Sequence, residues 1–275
     1  MIQIKPGQKS RWEQRIARAG ILEKTYSSAR EMLHFYQQVA GFQASLHGFL
    51  KSCGYRPGSG CQHPCPDKLD FTVVLPKFQH WLHFLETAAP VAMAQAAHQL
   101  MALPWNEWEP LLSRCWRDDK VVSGKPAVCS LIAFGFLQPV AEYLAEEYSD
   151  DPKIYSGATC PFCGRSPAVG ALRPEGDGGK RSLICCFCAF EWQYRRIVCA
   201  ACGEEDVYKL PVYTSEEFPQ VRVEACDTCR LFIKTVDLTN YGNADPLVDE
   251  LASIPVTLWA RQAGYTKLQC NLMGE

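Results

Sequence analysis

The chain carries little net charge, has no histidine beyond His98, and opens without an apolar leader. The formal charge is −2 over 275 residues, so no global basic field recruits nucleic acid. The opening segment, Met1-Ile-Gln-Ile-Lys5-Pro-Gly-Gln-Lys9, lacks the apolar stretch of a secretory signal. No uninterrupted apolar run approaches the ~18 residues of a membrane helix, so no span is expected. Arg195-Arg196 is a double arginine, but it lies mid-chain and is no twin-arginine export signal. A Gly-rich phosphate loop is missing, as is a Ser or Cys nucleophile motif with placed acid–base partners. These absences point away from secretion and from catalysis, and toward a binding protein that is not an enzyme.

What the chain does have is cysteine, 15 residues in all. An odd count, no leader and paired spacing argue against a disulfide framework and for thiol ligands in a reducing cytoplasm. Four Cys-x-x-Cys pairs fall within 70 residues: Cys160/Cys163, Cys185/Cys188, Cys199/Cys202 and Cys226/Cys229. Each pair offers two thiolates from one tight turn, and two pairs close a tetrahedral site. Pairing in chain order gives Cys160, Cys163, Cys185 and Cys188 for one ion, and Cys199, Cys202, Cys226 and Cys229 for another. The gaps inside the sites are 21 and 23 residues, each the length of a returning hairpin. With every histidine upstream, both sites are all-thiolate, and thiolates alone do not choose between iron and zinc. A closed four-cysteine site leaves no open position, which excludes a catalytic zinc. Gly164 and Gly203 follow the second cysteine of the leading pairs, where a positive backbone angle lets turn amides donate to sulfur, a pattern shared by zinc ribbons and rubredoxin. Arg165, Lys234, Arg195 and Arg196 are the cations expected to offset the charge of a divalent ion with four thiolates.

The remaining cysteines read differently. Cys186 adjoins Cys185, but only Cys185 gives Cys-x-x-Cys with Cys188. Cys53, Cys61 and Cys65, with His63, have a spacing that matches no usual metal pattern. Cys115, Cys129 and Cys270 are expected to be small buried apolar residues.

The chain divides at the polar stretch Ser149-Asp150-Asp151-Pro152. Before it the pattern is helical. Ser28-x-x-Glu31 has the form of a capping box, and Ala29, Met32, Leu33, Tyr36, Val39 and Ala40 follow on one helical face. Residues 76–101 carry a second helical pattern, interrupted at Pro90. Residues 126–148 are apolar nearly all round, as in the central helix of a bundle. Trp105, Trp108 and Trp116 form an aromatic surplus that suits either a core or an interface. After residue 158 the runs become strand-like, notably 191–198 and 220–224, with a hairpin tip at Gly176-Asp-Gly-Gly179. The ten-residue link 189–198 implies two ribbons joined by one strand. Asp245-Pro246 caps a last helix expected to reach Arg261, stopped by Gly264. The expected fold is therefore α+β: an all-helical bundle domain (1–152), two tandem rubredoxin-like or zinc-ribbon modules (153–198 and 199–243), and a C-terminal helix and tail (244–275).

In its motifs the chain resembles the FdhE family, formate dehydrogenase accessory proteins. Cys160-Pro-Phe-Cys163-Gly-Arg-Ser-Pro167 is similar to the family's CPxCGxxP. Cys185-Cys-Phe-Cys188-Ala-Phe-Glu-Trp192, then Arg196 and Cys199-Ala-Ala-Cys202, resembles its next stretch. Glu224-Ala-Cys226-Asp-Thr-Cys229 with Lys234, the tail Val248-Asp-Glu-Leu-Ala252, and Gly264-Tyr265 complete the likeness over 158–271. The resemblance implies a cytoplasmic protein that binds the catalytic subunit of a molybdenum or tungsten formate dehydrogenase before twin-arginine export. It also implies two rubredoxin-type sites on the eight paired cysteines. Homo-oligomerisation is left open. Two alternatives stand beside this reading. A nucleic-acid-binding zinc ribbon would use Lys180, Arg181, Arg195, Arg196 and Lys209, with Trp192 and Tyr194 stacking on bases. A rubredoxin-like electron-transfer protein would cycle iron.

Overall fold

The computed structural model describes residues 10–56, 69–117, 127–148, 155–176 and 178–274. Six α-helices lead. The first, α1 (Arg11–Thr25), opens on Ser10, whose hydroxyl accepts from the Glu13 amide while the Glu13 carboxylate accepts from the Ser10 amide. The expected box at Ser28 and Glu31 does not form. Ser28 lies in a one-turn 3-10 helix (Ser27–Ala29), and α2 (Arg30–Cys53) starts from Ala29 with no side-chain cap. The expected face of α2 holds, with Leu33, Tyr36, Val39 and Ala40 buried. Proline 90 separates α3 (Leu75–Ala88) from α4 (Val91–Met101). Next comes α5 (Trp105–Trp116), which buries Trp108 and Trp116 and leaves Trp105 half exposed against the Trp108 ring.

The axis of the bundle is α6 (Ala127–Tyr148). By length and composition it could cross a membrane, which a count of uninterrupted apolar residues misses, but most of it is buried inside this fold. Two buried polar side chains show why it belongs there. Glu142 pairs with Arg15 of α1 at 2.9 Å. Pro139 cannot donate to the carbonyl four residues back, Gly135, and the Gln43 amide of α2 donates there instead at 2.7 Å.

Seven strands follow: β1 (Pro167–Glu175), β2 (Gly178–Cys185), β3 (Glu191–Gln193), β4 (Val212–Thr214), β5 (Val221–Ala225), β6 (Leu231–Asp237) and β7 (Thr266–Lys267). They form one sheet in the order β3-β2-β1-β6-β5-β4, with β7 beside β6. Each ribbon has the same plan: a Cys-x-x-Cys turn, two strands, a second turn, a third strand. The two antiparallel ribbons meet along a parallel seam, β1 against β6, from Val169↔Lys234 to Leu172↔Asp237. Gly170 sits opposite Thr235 on that seam, where a Cβ would stand 2.4 Å from the Thr235 hydroxyl. The expected single connecting strand over 191–198 is thus incomplete. Only Glu191–Gln193 pair, and the ribbons are joined by fusion of their sheets.

The last helix is also divided. Asp245 caps α7 (Pro246–Ala252) as expected, but the helix breaks at Ser253 and α8 (Ile254–Gln262) resumes with proline in its first turn. One core joins the bundle to the first ribbon through Leu183, Phe187, Trp192 and Tyr194. A second lies between the sheet and α8, and a third packs α7 on α1 and α2.

Candidate metal centres

Four turns of one design present the paired cysteines. In each, the amide of the first cysteine donates to the carbonyl five residues on: Cys160 to Arg165 (2.7 Å), Cys185 to Phe190 (2.9 Å), Cys199 to Glu204 (2.9 Å), Cys226 to Leu231 (3.0 Å). The residue after the second cysteine is always left-handed. Gly164 (φ 77°) and Gly203 (φ 76°) were expected, whereas Ala189 (φ 50°) and Arg230 (φ 58°) carry side chains there. Such a conformation costs a side-chain-bearing residue roughly 1 kcal/mol, and closing the sites offsets it. The amides of Phe187 and Ala201 each donate to sulfur, Cys185 and Cys199 respectively, at 3.4 Å.

The eight sulfurs gather into two groups, Cys160, Cys163, Cys185, Cys188 and Cys199, Cys202, Cys226, Cys229, each with all sulfurs within 4.8 Å of one another. Four thiolates about 2.3 Å from one ion stand about 3.8 Å apart at tetrahedral geometry. In the second group, Cys199–Cys229 and Cys202–Cys226 are 3.8 and 3.7 Å apart. In the first, Cys160–Cys188 and Cys163–Cys185 are 3.5 and 3.3 Å. These distances are far beyond the ~2.05 Å of a disulfide and fit a tetrahedral ion. The donor set admits zinc or iron in either group. The thiols are prepared unequally. Burial disfavours the Cys185 thiolate, yet hydrogen bonds with Cys160, Cys186 and Cys188 bring it down to about 5. Burial also opposes ionisation of Cys226, and the amides of Cys229 and Thr228 overcome it. Each group therefore holds one thiol readied for a cation, whose charge would then deprotonate the rest.

The surroundings of the two groups differ. The first is set against the bundle, with Cys160, Cys185 and Cys188 buried. The Arg165 guanidinium lies 3.7 Å from the Phe187 ring centroid and donates to the Cys115 and Trp116 carbonyls at the end of α5. Phe187 packs against Trp116 and Phe134. From α6, the Gln138 amide donates to the Cys186 carbonyl at 3.0 Å, and its oxygen accepts from Gln43 at 3.1 Å. A buried amide chain thus runs from α2 through α6 into the Cys185–Cys188 turn. Buried polar residues on otherwise apolar helical faces were the only signal for Gln43 and Gln138, and the sequence reading passed over both. The second group is more open, and Cys202 is exposed.

The expected cations divide. The Arg165 guanidinium covers Phe187 of the Cys185–Cys188 turn, whereas Lys234 pairs with Glu250 (2.9 Å) and Arg195 with Glu205 (2.7 Å). Arg196 lines a cleft beside the second group. Cys186 is buried next to Cys185, outside the group of four. Cys129 is buried as expected, Cys115 is partly so, and Cys270 is exposed. Cys53 ends α2, exposed, while Cys61, His63, Cys65 and the 149–152 break lie outside the described residues.

A helical bundle bearing two fused four-cysteine ribbons defines a metal-binding protein of the zinc-ribbon or rubredoxin-like kind. Residues 159–196 match the model of the FdhE central domain, and 197–273 that of the FdhE C-terminal domain. Together these matches support a relationship to the FdhE family over residues 159–273. The FdhE homolog of Aquifex aeolicus (strain VF5) is 25% identical over 267 residues, spanning 94% of this chain and 93% of its own. The homolog of Pseudomonas aeruginosa is 35% identical over 126 residues, 43% of this chain and 40% of that one. The stretch matched with this second relative is therefore less than half of either protein. The crystal structure of the FdhE protein from Pseudomonas aeruginosa shares the fold, with a TM-score of 0.73 over 97% of both chains at 23% identity.

Proposed function

We propose that this protein is a cytoplasmic accessory protein that binds the catalytic subunit of a respiratory molybdenum or tungsten formate dehydrogenase and supports its assembly before twin-arginine export. The observation that carries the reading is the pair of four-cysteine ribbons within residues matched to the FdhE central and C-terminal domains. In this reading Cys160, Cys163, Cys185 and Cys188 bind one ion and Cys199, Cys202, Cys226 and Cys229 another, iron or zinc. Residues 1–152 form the helical body, 153–198 and 199–243 the ribbons, and 244–275 the tie back to the bundle. The protein acts by binding rather than by turnover. Crosslinking of the tagged chain in its native host should recover the formate dehydrogenase catalytic subunit, and absence of that contact would sink the proposal.

An electron-transfer role is the second reading, supported by the exposed Cys202 at one thiolate group. Anaerobic metal analysis with an optical spectrum separates the two. Two irons per chain and a thiolate band bleached by reduction favour redox, and two zincs without a visible band favour scaffolding. The nucleic-acid reading has less support. Lys180, Arg181, Arg195 and Lys209 all have carboxylate partners, and the rings of Trp192 and Tyr194 are buried.

A further inference from the structure

A cleft of about 150 Å³ opens beside the second thiolate group, between the 196–201 segment, the β4–β6 part of the sheet and Arg181 of β2. Its walls are apolar, including Val198, Leu210 and Ile233. Three arginines line it, Arg181, Arg196 and Arg222, against one carboxylate, Glu224. Glu224 is shared, pairing with Arg181 at 2.6 Å and also with Arg222. Arg196 has no carboxylate partner among the described residues. Arg181 is 2% exposed, and its Nε has no hydrogen-bond partner among the described residues. The rest of its guanidinium is engaged, with Nη1 donating to the Arg195 carbonyl at 2.8 Å and Nη2 paired with Glu224. The rim carries exposed apolar side chains, Ile197, Val207 and Val212, with Tyr208 standing almost fully in solvent. Val212 belongs to β4, the last strand on that side of the sheet.

We propose that this cleft is a docking site for a peptide segment of the client in which an acidic residue adjoins apolar ones. The carboxylate sits on Arg196 at the mouth of the cleft, and the apolar neighbour fills the cavity beneath Ile197 and Val212. The excess of arginine selects the acid, and the apolar walls select its neighbour. This deepens the reading of the protein as a binder of a partner subunit and rests on it.

The test uses the full chain loaded with metal and short peptides tiled across the formate dehydrogenase catalytic subunit. The binders should be rich in Asp or Glu beside apolar residues, and their affinity should fall with added salt. Changing the acidic residue of a binder to Lys, or introducing Arg196→Glu or Val212→Glu, should weaken binding about tenfold. Metal content and thermal unfolding of both variants are measured alongside, so that lost binding is not mistaken for lost fold. Peptides that bind the two variants as well as the unmodified chain would overturn the proposal, and so would a set in which none binds. Capture of the whole catalytic subunit is run in parallel. If the subunit is captured while the peptides ignore the cleft, the docking site is wrong and the proposed function stands. If the subunit is not captured, the proposed function fails by itself.

Discussion

The two ribbons use the same turn four times and place it in opposite settings. The first group is enclosed: three of its cysteines are buried, Arg165 ties its leading turn to the end of α5, and Gln138 holds its trailing turn to α6. The second group meets solvent through Cys202 and borders a cleft with an apolar rim. Identical local chemistry thus serves two ends. An enclosed site contributes to folding wherever its neighbours depend on it, whereas an open one is reachable by a partner, a chelator or an electron acceptor.

The sharpest way to break this comparison is to remove one ligand from each group. Cys185→Ala should cost the first ion and the cooperative unfolding of the bundle, because metal free energies of about 10–16 kcal/mol exceed or match the stability of a whole domain. Cys202→Ala should cost one ion while leaving the helical circular-dichroism melt nearly in place. Equal shifts in the two melts would end the distinction. Exposure to a chelator should agree, with one metal equivalent leaving well before the other.

Acid tests the anchorage of the second ribbon. Burial disfavours the Glu250 carboxylate, but Lys234 on β6 and Lys267 on β7 hold it down to about 2, from a usual 4.5. A depressed carboxyl stabilises the fold above 4.5, and that contribution is lost as pH falls from 4.5 toward 2, on the order of 3 kcal/mol. Glu250→Gln should flatten this part of the stability profile measured by urea unfolding. An unchanged profile would remove Glu250 from the account.

A smaller effect is expected from Gln138→Leu, which leaves the Cys186 carbonyl without its donor and should cost about 1–3 kcal/mol in urea unfolding. A loss within error would show that the amide chain is not a link between bundle and site. Smallest is the backbone cost of the turns themselves. Gly164 and Gly203 both have positive φ and open space where a Cβ would go, so Ala at either should cost about 1 kcal/mol, and the same amount at both. Unequal thermal shifts would mean that the turns differ intrinsically and not only in their surroundings.

The eight paired cysteines and their division into two fours were legible because the turn is local: spacing and the following glycine suffice to write it. The face of α2, the break at Pro90 and the Asp245 cap were legible for the same reason. The seam between β1 and β6 was not. It joins residues some 65 positions apart, Val169 with Lys234, and a parallel pairing at that range leaves no period in either strand. Ser28 and Glu31 have the spacing of a capping box, as Ser10 and Glu13 do, but α2 takes Ala29 as its N-cap, so the first pair stands one residue out of register. Gln43 and Gln138 were hidden because an amide in an apolar helix has no pattern of its own, and its role exists only once Pro139 has freed a carbonyl and the Cys186 peptide has arrived.

That last dependence couples the helical half to the first ribbon. A bundle that closed before the 185–188 turn had formed would seal the Gln138 donor away from water with nothing to receive it. Whatever disturbs the first site is therefore expected to be felt in the helical half, through the one donor that α6 lends to the Cys185–Cys188 turn.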